Sequence, residues 1–67
     1  MSVAKVTEII SSSDESFEDA VNKGVERANK TLKNVTEAWV ASQKVTVENG
    51  QIDQYRVVMK VSFILKD

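Results

Sequence analysis

The last third of the chain has the clearest hydrophobic pattern. Apolar side chains occupy every odd position from Tyr55 to Leu65: Tyr55, Val57, Met59, Val61, Phe63, Leu65. A period of two predicts a β-strand with these six side chains on one face, toward a core. The even positions mix charged with aliphatic side chains: Gln54, Arg56, Val58, Lys60, Ser62, Ile64, Lys66. Because one helix can cover only one face, we expect other copies of the chain to cover the second.

The first segment predicts a strand followed by a helix start. Residues Val3 to Ile10 are rich in β-branched side chains and lead into the triple serine Ser11–Ser13. Ser12 precedes Glu15 by three residues, a spacing at which the two side chains cap a helix N-terminus reciprocally. We therefore expect the helix to begin at this serine run.

The next segment has helical periodicity. Apolar and small residues recur at spacings of three and four: Phe17, Ala20, Val21, Gly24, Val25, Ala28, Leu32. Acidic residues lie near the start and basic residues near the end, which suits the helix dipole, and Asn34 can end the helix. Gly24 lies within the apolar stripe, where it permits close approach to the sheet or another helix, or is a tolerated imperfection.

The remaining residues predict a hairpin. Val35 to Glu48 reads as a second strand, and Asn49-Gly50 favours a type I′ turn that pairs Glu48 with Gln51. Counting outward places these pairs toward the helix: Val40 with Met59, Ala38 with Val61, Thr36 with Phe63. It places these on the other face: Trp39 beside Lys60, Ala41 beside Val58, Gln43 beside Arg56, Glu37 beside Ser62. A bulge between Gln43 and Val47 would shift this register and exchange the faces.

Composition limits both stability and function. The 67 residues form one domain, residues 1–67, and so small a chain buries only about 60% of its unfolded surface. With no Cys and no His, neither a disulfide nor a Cys/His metal cluster can stabilise it, which favours oligomerisation, and general-base catalysis is also disfavoured. A net charge of −1 with both signs interspersed argues against a nucleic-acid partner. No apolar run approaches membrane-spanning length, so we expect a cytoplasmic protein with no membrane partner.

Three motifs together resemble the dodecin family over nearly the whole chain. They are S-x-D/E-E-S-F at residues 12–17, E-R-A with a following Thr-Leu at residues 26–32, and Y-x-V-x-x-x-V-x-F-x-L at residues 55–65. The resemblance implies an α+β fold in which a β-α-β-β protomer half-wraps its helix with a three-stranded antiparallel sheet. It also implies that twelve copies close into a hollow shell. Typical members sequester pairs of flavins by stacking their rings against a tryptophan of the second strand, with a glutamine of the third strand bonding to the ring edge.

The chain departs from that pattern at both positions. Ungapped alignment places Glu37 where the family has its stacking tryptophan and Arg56 where it has the glutamine. A calcium-associated branch of the family is similar in these two residues. Trp39, about 7 Å along the strand from Glu37, is either a displaced aromatic platform or an interface residue. Arg56 can stack on a planar ligand, bind a carboxylate or phosphate, or pair with Glu37 across a subunit contact.

The sequence leaves three classes of function open. The first is a non-catalytic homododecamer that sequesters a small ligand, with flavin mononucleotide or riboflavin as the family default and Glu37, Trp39 and Arg56 as ligand-binding residues. The second is a flavin-free shell or calcium binder, whose candidate metal ligands are carboxylates that could instead be solvated surface: Glu8, Glu37, Glu48, Asp53. The third is a small dimeric adaptor that adds a partner strand at a sheet edge.

Overall fold

Three strands and one helix make up the fold. The computed structural model describes residues 2–65, so Met1, Lys66 and Asp67 lie outside the described residues. The elements are β1 (Val3–Ser13), α1 (Phe17–Thr31), β2 (Val35–Glu48) and β3 (Gln51–Leu65). They form an antiparallel sheet of order β1-β3-β2 with α1 on one face, which confirms the predicted β-α-β-β architecture. Within residues 2–65, α1 is too short and too polar to cross a membrane.

The core lies between α1 and the centre of β3. Val57, Met59 and Val61 are fully buried, as the period of two predicted, and Val57 and Met59 pack with Ala20 of α1. Partly buried side chains from β1, α1 and β2 surround them: Ile9, Phe17, Val21, Val25, Ala38. Leu65, predicted for the same face, is 47% exposed. The apolar stripe of β3 is therefore longer than the region the helix covers.

The helix begins later than the serine run predicted. β1 continues to Ser13, and the cap is Ser16, whose Oγ accepts a hydrogen bond from the Asp19 amide at 2.9 Å. Ser13 Oγ accepts from the Glu15 amide at 2.9 Å and donates to Asp19 Oδ2 at 2.6 Å. The prediction that Ser12 caps the helix is wrong because Ser12 pairs with β3 in the sheet.

Gly24 lies where α1 packs tightly against the sheet. A Cβ at this position would lie 3.0 Å from Met59 Sδ and 3.1 Å from Ser11 Cβ. One turn earlier, Ser11 Oγ donates a 2.7 Å hydrogen bond to the Ala20 carbonyl and so ties β1 to the helix. Of the two interpretations of Gly24, the structure confirms close approach.

The hairpin turn forms as predicted, but the strand pairing beyond it contains two compensating bulges. Asn49 and Gly50 both have positive φ, 54° and 75°, and Glu48 pairs with Gln51. Asp53 is then an extra residue on β3, and Ala41 is an extra residue on β2, so the second shift cancels the first. Four predicted pairs are therefore confirmed: Val40–Met59, Trp39–Lys60, Ala38–Val61, Glu37–Ser62.

Between these two bulges, and again at Phe63, the predicted pairing is wrong. Ser42, not Ala41, pairs with Val58, and Lys44, not Gln43, pairs with Arg56. A third irregularity places Val35, not Thr36, opposite Phe63. Each error is one residue, because turn counting assumes an unbroken ladder and each bulge adds one residue to one strand.

The hairpin projects past the helix. The Phe17 ring at the start of α1 meets Tyr55 edge-to-face at 5.2 Å, and the last pair of β1 with β3 is Ser13 with Tyr55. Beyond this point only residues 46–54, here called the hairpin arm, continue the sheet. Val47 and Ile52 pair across the arm and are 64% and 55% exposed. The molecule is consequently elongated, 51 × 18 × 14 Å.

Candidate functional site

The sheet face opposite α1, here called the outer face, carries the three predicted ligand residues. Lys60 alternates with the buried Met59 and Val61, so its side chain and that of its partner Trp39 point away from the core. The same alternation places Glu37 and Arg56 on this face. Trp39 is 45% exposed, as expected for an indole that its own helix does not cover.

Cross-strand pairing arranges the outer face in rows about 7 Å apart. From one end these rows are Val6–Ser62–Glu37, Glu8–Lys60–Trp39, Ile10–Val58–Ser42 and Ser12–Arg56–Lys44. Trp39 and Arg56 are thus separated by about 13 Å along the strands, and Glu37 lies about 7 Å from Trp39 in the opposite direction. A Glu37–Arg56 ion pair would therefore have to join two protomers.

Arg56 is oriented by β1 and lies next to a second cation. Its Nε donates a 3.1 Å hydrogen bond to Ser12 Oγ, and Lys44 is its partner on β2. Its terminal nitrogens have no partner among residues 2–65, so they can bind a carboxylate or phosphate. The predicted register placed Gln43 in this row. The sequence missed Lys44 because the extra residue Asp53 on β3 shifts the pairing by one residue between Val47 and Thr46, within the segment where a bulge was the alternative to that register.

Trp39 lies within an apolar patch. Two β1 residues on the same face are also exposed, Val6 at 48% and Ile10 at 66%. Val58, between Ile10 and Ser42, continues the patch across β3. Contiguous exposed apolar surface of this kind is typical of interaction sites.

The predicted metal ligands do not converge within one protomer. Glu8 lies in the Trp39 row opposite Lys60, whereas Asp53 and Glu48 belong to the hairpin arm, about 23 Å and about 30 Å away along β3. In the part of the chain that the structure describes, no three Asp or Glu side chains form a group able to hold a metal ion. A calcium site built from these residues would need carboxylates of several copies.

Two ionisable groups with shifted pKa values, Asp19 and Lys23, lie in the first two turns of α1, away from the outer face. The Ser13 hydroxyl, followed by the Lys23 ammonium 2.9 Å away, holds the pKa of Asp19 below its usual value. Asp19 in turn raises the pKa of Lys23. These contacts fix the turn between β1 and α1, so their role is structural.

Comparison with known proteins gives consistent matches along the chain. A family model described as Dodecin matches residues 3–66. The calcium dodecin of Mycobacterium tuberculosis is 35% identical over 66 residues, which is 98% of this chain and 93% of that protein. The dodecin structure from Streptomyces davaonensis superposes with a TM-score of 0.93 at 33% identity, covering 98% of this chain and 97% of that one. A structure of the M. tuberculosis calcium dodecin, described as calcium chelating with a novel calcium-binding site, has a TM-score of 0.84 at 35% identity, covering 96% of this chain and 91% of that one.

Proposed function

Because this chain belongs to the dodecin family, we propose that it is a non-catalytic homododecamer that sequesters a small ligand in seams formed by the outer face. The observation that carries this proposal is the exposed Trp39 in an apolar patch that α1 cannot cover. Tryptophan is enriched and energetically dominant at interfaces, and its ring is also a platform for planar ligands.

The small core supports an obligate assembly. Among residues 2–65, five hydrophobic residues are buried: Ala20, Ala28, Val57, Met59, Val61. A domain of this size, with no disulfide available, depends on additional burial for stability. Covering the outer face with a second copy supplies that burial.

The distribution of charge favours an anionic planar ligand. Arg56 and Lys44 form one cationic row, and Lys60 lies beside the indole. A flavin ring on Trp39 would direct its phosphate toward Arg56 and Lys44. Glu37 lies on the far side of Trp39, so its carboxylate would not face that phosphate. We therefore propose flavin mononucleotide as the first ligand to test.

Calcium binding is the second candidate. It is supported by the 35% identity to a relative named calcium dodecin. Since no group of three carboxylates converges within residues 2–65 of one protomer, the site would form only between copies. Glu8 and Glu37 on the outer face, or Glu48 and Asp53 on the arm, would supply its oxygens.

Titration with two flavins tests the first candidate. Flavin mononucleotide and riboflavin share the ring, but only the former carries the phosphate. We expect the fluorescence of both flavins to be quenched on binding. The R56Q variant should bind the mononucleotide about tenfold more weakly, which corresponds to about 1.4 kcal/mol, and should bind riboflavin with little change in affinity. K30A, which removes an exposed cation of α1, is the control. Absence of quenching by either flavin would exclude this candidate.

Chelation tests the second candidate. A calcium-binding shell should lose thermal stability on addition of a chelator and regain it with excess calcium, since a ligand that binds only the folded state stabilises that state. A melting temperature that is unchanged by chelator and by calcium would exclude calcium as a ligand.

A further inference from the structure

The tip of the hairpin arm places an asparagine directly before a glycine in an exposed turn. Asn49 and Gly50 are the two central residues of this turn, and residues 47–53 are all exposed in the protomer. A Cβ at Gly50 would meet no atom within 4 Å among the described residues beyond its chain neighbours. Because Gly50 also has no side chain of its own, nothing crowds its main-chain amide.

The Gly50 amide makes no hydrogen bond within residues 2–65. In a two-residue hairpin the hydrogen bonds that close the turn belong to the flanking pair, here Glu48 and Gln51. Hydroxide can therefore remove the Gly50 amide proton without breaking a hydrogen bond of the sheet. The deprotonated nitrogen is a nucleophile next to the side-chain amide of Asn49.

We propose that Asn49, one of the thermolabile residue types, deamidates spontaneously in the folded protein, with the Gly50 nitrogen as the nucleophile. This nitrogen attacks Cγ of Asn49, a C–N bond forms, and the side-chain nitrogen leaves as ammonia, which closes a succinimide ring between the two residues. Water then opens the ring at the side-chain carbonyl, giving aspartate, or at the main-chain carbonyl, giving isoaspartate. Either route consumes one water, releases one ammonia and transfers no electrons.

Ring closure requires the turn to open. Asn49 has a φ of 54°, in the left-handed region, where ψ is about +30 to +60°. At these angles the Gly50 nitrogen is directed away from Cγ of Asn49, so the ring forms only after the main chain has rotated about ψ. The rate of deamidation therefore depends on how often the arm opens.

Opening of the arm breaks few contacts. Beyond the bulge on β3 the arm consists of two residue pairs, Glu48–Gln51 and Val47–Ile52. Neither β1 nor α1 covers them, since both end at the level of Tyr55. A segment with few buried contacts opens locally at low free energy while the rest of the fold stays intact.

The other asparagines of the chain provide internal controls. Asn34 is also exposed, also lies between two elements and also has a positive φ, 64°. Its successor, however, is Val35, whose β-branched side chain crowds the attacking nitrogen. Asn22 and Asn29 lie within α1, where the amides that follow them are hydrogen-bonded in the helix. We therefore expect the reaction to be selective for Asn49.

The two products differ in their effect on the arm. Aspartate is accepted at the left-handed position of an Asp-Gly turn, so this product keeps the hairpin and adds a negative charge beside Glu48. Isoaspartate carries the main chain through its Cβ, which lengthens the loop and is incompatible with a two-residue turn. The protein should therefore accumulate loosened arms as it ages.

Peptide mapping of the aged protein tests the proposal. The assembled natural chain is incubated at mildly alkaline pH to low conversion, light scattering checks that its mass is unchanged, and digestion at mildly acidic pH preserves the products for mass spectrometry. We expect Asn49 to convert at least about tenfold faster than Asn34, a barrier difference of about 1.4 kcal/mol. The rate should rise in proportion to the hydroxide concentration. The N49D variant is the chromatographic standard for aspartate, and an isoaspartyl methyltransferase with a labelled methyl donor detects isoaspartate.

A reversible clamp tests whether the arm must open. Val47 and Ile52 form the pair next to the turn pair and are therefore not hydrogen-bonded to each other, so their Cα atoms are close enough for a disulfide. The natural chain has no cysteine, and a monomeric band in a non-reducing denaturing gel confirms that the V47C/I52C cross-link lies within one arm. The oxidised variant should deamidate at Asn49 at least about tenfold more slowly than the same variant after reduction, whereas Asn34 should react equally in both.

Two results would overturn the proposal. If Asn49 converts no faster than Asn34 in the assembled natural chain, the turn is held shut or is covered by another copy. If the oxidised and reduced variants react at the same rate, opening of the arm is not part of the route. The first measurement uses the natural chain and does not depend on whether the variant folds. Neither measurement involves Trp39 or a ligand, so both are independent of the proposed function.

Discussion

Trp39→Asp gives the strongest prediction about the outer face. The indole is 45% exposed in the protomer. With about 250 Å² for a whole tryptophan, covering this fraction removes about 110 Å² from water. At about 25 cal/mol per Å² this stabilises the seam by about 3 kcal/mol per side chain, or about 6 kcal/mol for a symmetric pair. The aspartate variant loses this stabilisation and adds the cost of desolvating a carboxylate, which is several kcal/mol in proteins.

Light scattering after gel filtration measures the outcome. We expect W39D to dissociate to species much smaller than the full assembly at micromolar concentration, because 6 kcal/mol per pair corresponds to more than a thousandfold change in association. Trp39→Phe is the matched control: it keeps an aromatic side chain and should keep the full mass. Glu26→Asp, on the exposed side of α1, is a second control: it tests whether altering a carboxylate away from the outer face changes the assembled mass.

The refuting result is a W39D variant that retains the full mass over a hundredfold dilution. The indole would then not lie in a desolvated contact, and the exposed patch around it would need a different explanation. Unfolding of W39D would be a distinct outcome: circular dichroism would show loss of helix together with loss of mass, as expected if isolated protomers cannot remain folded.

Three further predictions concern the fold. Gly24→Ala should lower the free energy of unfolding by about 1 kcal/mol, because crowding Met59 and Ser11 costs about 1 to 3 kcal/mol and exceeds the helix-propensity gain of about 1 kcal/mol. Asn22→Ala, on the exposed helix surface, is the control and should stabilise the chain slightly. Denaturant titration at fixed protomer concentration compares the two variants. Asp19→Asn should destabilise the chain above about pH 3.8, because the Ser13 and Lys23 contacts that lower the pKa of Asp19 stabilise only its ionised carboxylate. The difference from the natural chain should shrink as the pH falls below that value through the lower folded pKa, and thermal melts in which it stayed constant would contradict this. Gly50→Ala should cost about 1 to 2 kcal/mol from its positive φ alone, since no atom lies within 4 Å of the added methyl group, and a neutral result in thermal melts would argue against the type I′ turn.

The fold was predictable from the sequence because its local signals agree with one another. The period of two in β3, the helical stripe of α1 and the Asn49-Gly50 turn each predict one element, and their order leaves few ways to bury both stripes. Trp39 was placed correctly for a less secure reason. Counting from the turn passes two bulges of opposite effect, at Asp53 and Ala41, and the errors cancel before Trp39 is reached.

Features that depend on competition between two local structures were not predictable. Ser12 and Glu15 have the spacing of a helix cap. Ser12 instead pairs with β3 in the sheet, and Ser16 caps the helix. The position of Lys44 beside Arg56 depends on the bulge at Asp53, which no unusual residue in the sequence marks. The hairpin arm was hidden because strand lengths do not show where the covering helix begins.

The outer face alone does not account for an assembly of twelve copies. A seam between two outer faces uses the same patch on both copies and by itself stops at a pair. The twelve copies that the family resemblance implies would therefore require at least one further contact between copies, outside the Trp39 patch. Loss of the seam in W39D should then leave the species that this further contact holds together. Light scattering should report one discrete smaller mass, and a broad distribution of masses would argue against a second defined contact.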